Sequence, residues 1–209
     1  MTQDPMTLLR DLRDALSDVI DAPSPTDPPV APAGMLNRWA PWYTTGHRAC
    51  YGPSDTYRIA AEWLNGLAIE DWGCGYAQFR DFHRGAYRGI DGTRGWANVV
   101  VDLTTYNPGE TMRPEGILLR HVLEHNSDWR SILRNAVAGF TKRMVLVVFT
   151  PDAGREERIL AHVDAVNVDD LALPHQEIES FFGGCRKLDK VHVPTATGYS
   201  GETIWLVEK

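Results

Sequence analysis

His121, Glu124 and His125 put two imidazoles and a carboxyl into one short run, Arg120-His121-Val122-Leu123-Glu124-His125. An imidazole takes up a proton near neutral pH, and a neighbouring carboxylate strengthens that uptake and fixes the tautomer. The chemistry this offers is deprotonation of a hydroxyl or an amine, and on a helix the two histidines would share a face. As metal ligands they lack an evident third partner and the H-E-x-x-H order, so no metal is expected. A second set of residues suits ligand binding instead. Asp71 closes the apolar run that begins at Leu67, and Gly73 and Gly75 follow it within Glu70-Asp71-Trp72-Gly73-Cys74-Gly75. Glycines there let the backbone take positive φ and let a ligand lie against bare main chain. Asp91 closes the next run, Tyr87-Arg88-Gly89-Ile90-Asp91. It falls about 20 residues on, where nucleotide-binding α/β units place the carboxylate that pairs with ribose hydroxyls. Asp102 closes a third run, Val99-Val100-Val101-Asp102.

Strands ending in these acids must alternate with helices. Ser54 caps a helix through Leu64, with Ile59, Ala60, Trp63 and Leu64 inward, and Gly66 ends it ahead of the first strand. A short helix from Ala77 to Arg84 follows the glycine turn and stops at Gly85. Only seven residues separate Asp91 from Val99, too few for a full crossover helix, so a loop or a shortened helix stands there. Gly116 to Arg120 reads as a strand, and Ser127 caps a helix carrying Trp129, Ile132, Leu133, Ala136, Val137 and Phe140. Met144 to Thr150 is the fifth strand; helices at about 154–164 and 175–183 follow. The tail offers two strands, Lys187 to Val193 and Thr203 to Glu208, around a turn-rich stretch. This pattern implies a mainly parallel sheet covered on both faces, with ligands outside the carboxyl ends of its strands. Asp71, Asp91, Asp102 and His121 would gather at that edge.

The three landmarks Glu-Asp-Trp-Gly-Cys-Gly, Gly-Ile-Asp and His-Val-Leu-Glu-His together resemble the class I S-adenosylmethionine (SAM)-dependent methyltransferases, over roughly residues 60–209. Ala77 stands where that family commonly has a third glycine. The resemblance implies a Rossmann-like, three-layer α/β/α fold with a seven-stranded sheet ending in an antiparallel hairpin. It implies SAM as cofactor and S-adenosylhomocysteine as product. Asp71 and Trp72 with Gly73 and Gly75 would receive the methionine end, Asp91 and Gly92 the ribose, and Asp102 and Leu103 the adenine. Arg120 and His121 would border the cofactor. His121, Glu124 and His125 would serve catalysis, although a Leu-Glu-His element also recurs in the family as a structural turn. The acceptor implied is an oxygen or nitrogen of a small polar molecule.

Residues 6–20 form an amphipathic helix, either docked on the body, a lid, or a homodimer contact, and a proline-rich connector follows at 22–33. The expected division is 1–34 as extension, 35–65 as a cap rich in Trp39, Trp42, Tyr43, His47 and Tyr51, and 66–209 as cofactor-binding core. A formal charge of −7 argues against a broad nucleic-acid surface. Cys50, Cys74 and Cys185 form no C-x-x-C pair and read as reduced thiols. No run is long enough to span a bilayer, and a cytoplasmic protein is expected. Three other functions compete. An NAD-type oxidoreductase is opposed by Gln78, where G-x-G-x-x-G needs glycine. A methyltransferase-like domain acting as a non-catalytic partner, and a nucleic-acid or nucleotide methyltransferase, are the others. The sequence holds no Asn-Pro-Pro-Tyr or Asp-Pro-Pro-Tyr motif for base amino methylation and no Pro-Cys nucleophile.

Overall fold

The computed structural model describes residues 36–44, 55–109, 113–196 and 198–209. The expected helix at 6–20, the proline-rich connector, His47 and the Ser54 cap lie outside them. Seven strands form one sheet: β1 (Ile69–Trp72), β2 (Tyr87–Asp91), β3 (Val99–Val100), β4 (Gly116–Arg120), β5 (Arg143–Val148), β8 (Lys187–Pro194) and β9 (Gly201–Glu208). Their order is β3-β2-β1-β4-β5-β9-β8. The first five run parallel, and β9 pairs antiparallel with both β5 and β8. The chain leaves β1 toward β2 and β3 on one side and returns to β4 on the other. The crevice outside the carboxyl ends of β1 and β4 is therefore the switch point where such sheets bind ligands.

Alternation along the strands divides the core into two layers. Ile117 and Leu119 of β4 face one way with Trp72, Leu146 and Trp205, under α3 (Trp129–Gly139). Trp129, Ile132, Leu133 and Ala136 recur at helical spacing and are all buried, which seats α3 on that face. Leu118 points the other way with Ile69, Val145, Val147 and Ile204, under Ala60 and Leu64 from α2 (Asp55–Trp63) and its end. Short α1 (Ala40–Thr44) lies ahead of α2, and α4 (His175–Ser180) adds Ile178 to the first layer.

Four local expectations need correction. Residues 154–164 are not helical: β6 (Arg158–Val163) and β7 (Val168–Ala172) form a separate antiparallel hairpin. Asn167 at φ 51° makes its turn, and β-branched Val163 and Val168 flank it, chemistry that suits a hairpin over a helix. Residues 77–84 hold only a 3-10 turn, Gln78–Asp81, because Gly75 (φ 54°) and Ala77 (φ 52°) bend the chain left-handed at its start. The N-terminal cap of α3 is Asp128 rather than Ser127, without a side-chain hydrogen bond. The segment 121–125 is not a continuous helix: His121 sits at φ 55°, and a 3-10 turn, Leu123–His125, follows. The seven-residue link to β3 is a loop, and β3 pairs parallel with β2 for two residues, Ile90↔Val99 and Asp91↔Val100.

Candidate active site

Beyond Trp72 the chain turns on Gly73, at φ 73°, where the Gly73 and Cys74 amides donate to the Ile90 carbonyl at 2.7 and 3.2 Å. An added Cβ on Gly73 would stand 2.2 Å from a Val122 methyl, so the turns after β1 and β4 meet there. Gly75 donates its amide to Asp91 Oδ2 at 3.0 Å. Asp91 Oδ1 accepts from the Thr93 amide at 2.8 Å, and Oδ2 also accepts from the Tyr43 hydroxyl at 3.4 Å. Burial pushes the Asp91 carboxyl up, against the pull of the Gly75 and Thr93 amides. Tyr43, pushed up strongly by burial and by Asp91, remains a neutral donor.

A cleft with about 1000 Å³ of space, its open mouth included, lies along this edge. Gly73, Gly75, Asp91 and Gly92 line one end, and Asp102 and Leu103 continue the wall. Asp102 Oδ1 holds its own turn through the Thr104 amide at 2.9 Å, and Asn135 of α3 anchors the Leu103 and Thr104 carbonyls at 3.1 and 2.9 Å. Arg120, His121 and His125 line the cleft as well. Residues 36–44 cover part of it: the Asn37 amide donates to Gly92 O at 2.8 Å and the Trp39 amide to Thr93 Oγ1 at 3.3 Å. Tyr43 meets Tyr76 edge-on at 5.1 Å between ring centres, which closes the cap over the glycine turn.

Three expected site residues fall outside the cleft wall. Trp72 is fully buried in the core and donates its indole N–H to Glu70 Oε2 at 2.7 Å. Asp71 accepts the Tyr87 hydroxyl at 2.7 Å beneath the turn, and burial lifts its carboxyl to about 7 despite that bond. Glu124, with no exposed surface, accepts the Phe149 amide at 2.6 Å and is lifted to about 7 by burial. Sequence reasoning did not single out Glu202, Asp170, Tyr57 or Tyr199, yet these surround the histidines and Arg120. Arg120 Nη2 donates to Glu202 Oε1 at 2.9 Å and Nη1 to the Tyr57 hydroxyl at 3.3 Å. His121 Nε2 lies 3.3 Å from the same Glu202 oxygen. Burial and the Arg120 charge push His121 down to about 4, so it is neutral at pH 7. His125 Nδ1 lies 3.1 Å from Asp170 Oδ1. Glu202 lies one residue ahead of the strand expected from Thr203, and Asp170 lies in β7, beyond the helix expected at about 154–164, so neither carried a signal. Among the described residues no three His, Cys, Asp or Glu side chains group to hold a metal.

No protein-family model matches the chain, and no curated protein matches it. Solved structures do. It is similar to a Burkholderia thailandensis 1,6-didemethyltoxoflavin-N1-methyltransferase, solved with its substrate and S-adenosylhomocysteine: TM-score 0.60, 17% identity, covering 89% of this chain and 94% of that one. A putative O-methyltransferase from Nostoc punctiforme gives TM-score 0.57 at 14% identity, over 99% of this chain and 70% of that one. Magnesium protoporphyrin IX methyltransferase from Synechocystis, with S-adenosylhomocysteine bound, gives TM-score 0.51 at 14% identity, over 82% and 94%. The chain has the fold of the class I methyltransferases.

Proposed function

We propose that this protein is a SAM-dependent methyltransferase acting on an oxygen or nitrogen of a small polar acceptor. One observation carries the reading: the Asp91 carboxylate stands at the end of β2, in the cleft wall, across from the bare main chain of Gly73 and Gly75. A carboxylate has about four acceptor sites, and the Gly75, Thr93 and Gly92 amides and the Tyr43 hydroxyl draw on them here. The long 3.4 Å bond from Tyr43 is the one most readily exchanged for a ribose hydroxyl. The residues present therefore fit the nucleoside end of SAM.

When bound, SAM supplies a methyl group already activated on a positively charged sulfur. The chain needs only to hold acceptor and methyl in line and to keep water out, and positioning alone contributes several orders of magnitude. Gly73 and Gly75 admit the cofactor close to the backbone, Asp91 orients it, and the segment 36–44 covers it. The division into a cap at 35–65 and a core from 66 onward is part of the same reading.

Calorimetric titration with SAM and S-adenosylhomocysteine, with NAD as control, tests it. Micromolar binding of the first two and none of NAD is expected. Asp91→Ala removes charge-assisted hydrogen bonds of about 1.5–3 kcal/mol, so affinity should fall about 10- to 100-fold. No binding of SAM to the folded chain, or unchanged affinity in Asp91→Ala, would refute the assignment.

A further inference from the structure

The β6–β7 hairpin lies outside the main sheet, and its second strand packs against the Leu123–His125 turn. That contact brings Asp170, with 13% of its side chain exposed, to His125 Nδ1 at 3.1 Å. The other Asp170 oxygen accepts the Tyr199 hydroxyl at 3.1 Å. Contact with His125 and the Tyr199 bond outweigh burial and hold Asp170 low, so it stays anionic. His125 is wedged between Trp39, at 5.0 Å and 66°, and Phe149, at 5.5 Å and 41°, so its ring cannot turn freely. The rival groups are committed elsewhere. Glu124 serves the Phe149 amide, and His121 shares its carboxylate with Arg120.

We propose that His125 is the proton acceptor of the cleft, that Asp170 is the residue that positions it, and that the group deprotonated is the hydroxyl of a planar aromatic acceptor lying against Trp39. The proposal rests on the methyl-transfer reading above. Asp170 Oδ1, 3.1 Å from Nδ1, favours the proton on that nitrogen, and an Nδ1–H tautomer would leave the lone pair on Nε2, at the far side of a ring that lines the cleft. A hydroxyl needs such a base, because its proton must leave as the new bond forms. A neutral amine already has a free pair. The acceptor O–H bond breaks, its proton goes to Nε2, and its electron pair stays on oxygen. That oxygen forms the bond to the methyl carbon while the carbon–sulfur pair returns to sulfur, leaving a neutral thioether. A phenol is far more acidic than an alkyl alcohol and gives up its proton more readily to an imidazole, which favours an aromatic hydroxyl. The indole of Trp39, in the cleft wall and 5.0 Å from the His125 ring, offers a flat surface beside that base, and Trp42 stands nearly perpendicular to it at 85°.

The test uses the full chain loaded with S-adenosylhomocysteine. Long-range 15N NMR should show His125 as the Nδ1–H tautomer, its signal identified by loss in His125→Gln. Asp170→Ala should move it toward Nε2–H; an Nε2–H wild type, or no change in the variant, overturns the pairing. 4-Nitrophenol, followed by the absorbance of its anion, should bind as phenolate, and His125→Gln should weaken it at least 10-fold with S-adenosylhomocysteine affinity held within twofold. Asp170→Asn, which keeps the side-chain shape, should weaken it too, and covers the case in which Asp170→Ala does not fold. No binding of 4-nitrophenol, equal binding of 4-nitroaniline, or indifference to His125→Gln would overturn the acceptor class. Failure of the methyltransferase reading itself appears separately, as absence of SAM binding in calorimetry.

Discussion

Glu202→Gln should be the most costly single change at the cleft, although Glu202 touches no expected ligand. Its Oε1 stands 2.9 Å from Arg120 Nη2 and 3.3 Å from His121 Nε2, and the side chains of Glu202 and Arg120 are 1% and 5% exposed. Removing the carboxylate leaves the guanidinium buried without its anion. Breaking a buried pair in this way costs about 3–5 kcal/mol. Burial opposes the charge on Glu202, but the contacts with His121 and Arg120 outweigh it and hold the carboxyl at about 2, against an ordinary 4.5, so Glu202 is anionic at pH 7. Urea unfolding at pH 7, followed by fluorescence of the buried Trp72, Trp129 and Trp205, measures the loss. Arg120→Met should cost a similar amount, and Arg120→Met with Glu202→Met should cost clearly less than the two singles together, since paired apolar groups leave no stranded charge. A loss below about 1 kcal/mol in Glu202→Gln, or strict additivity across the cycle, would refute the ion pair as what holds the ends of β4 and β9 together.

Gly73→Ala forces an L-residue to φ 73° and a methyl to 2.2 Å from Val122 Cγ2, so a loss of about 2–5 kcal/mol in the same assay is expected, with SAM affinity reduced. Glu124 gives a pH signature. Its folded pKa of about 7 exceeds its ordinary 4.5, so it supports the fold while protonated below 4.5, and that support is lost as pH rises through 7. Glu124→Gln keeps an acceptor for the Phe149 amide but cannot ionise. Chemical denaturation across pH should find it close to wild type at acid pH and more stable by about 3 kcal/mol at pH 8; parallel profiles would contradict this.

The sheet was legible because its strands carry their own signals. Apolar runs at 67–71, 87–91, 116–120 and 144–149 each end in an acid, a polar cluster or a proline, and their order predicts the switch point. The loop in place of a crossover helix after Asp91 was legible from its length. The hairpin was not, because residues 154–164 alternate between apolar and polar too loosely to choose a period, and β6 is exposed along most of its length. Asp71 and Glu124 show a different limit. Sequence places a carboxyl near the end of a strand but not which face it takes, and a one-residue step in a strand moves a side chain to the opposite face. Asp71 points beneath the turn to Tyr87, while Asp91, at the end of the neighbouring strand, reaches the cleft.

That division between strand ends and added segments has a consequence for how the site is built. The strand ends and their glycine turn supply Gly73, Gly75 and Asp91, residues whose positions follow from the sheet itself. The opposite end of the cleft depends on pieces laid over the sheet: residues 36–44, which bring Trp39 and Trp42, and the β6–β7 hairpin, which brings Asp170. These two pieces are joined directly, since Arg38 Nη1 donates to the Asn167 carbonyl at the hairpin turn at 2.7 Å. The segment 36–44 is itself pinned to the β2 loop through Gly92 and Thr93. The segment 36–44 thus touches both the β2 loop and the hairpin turn. In the methyl-transfer reading proposed above, change in these added pieces would alter which acceptor fits without disturbing the strand ends, which is why the fold alone does not specify the acceptor.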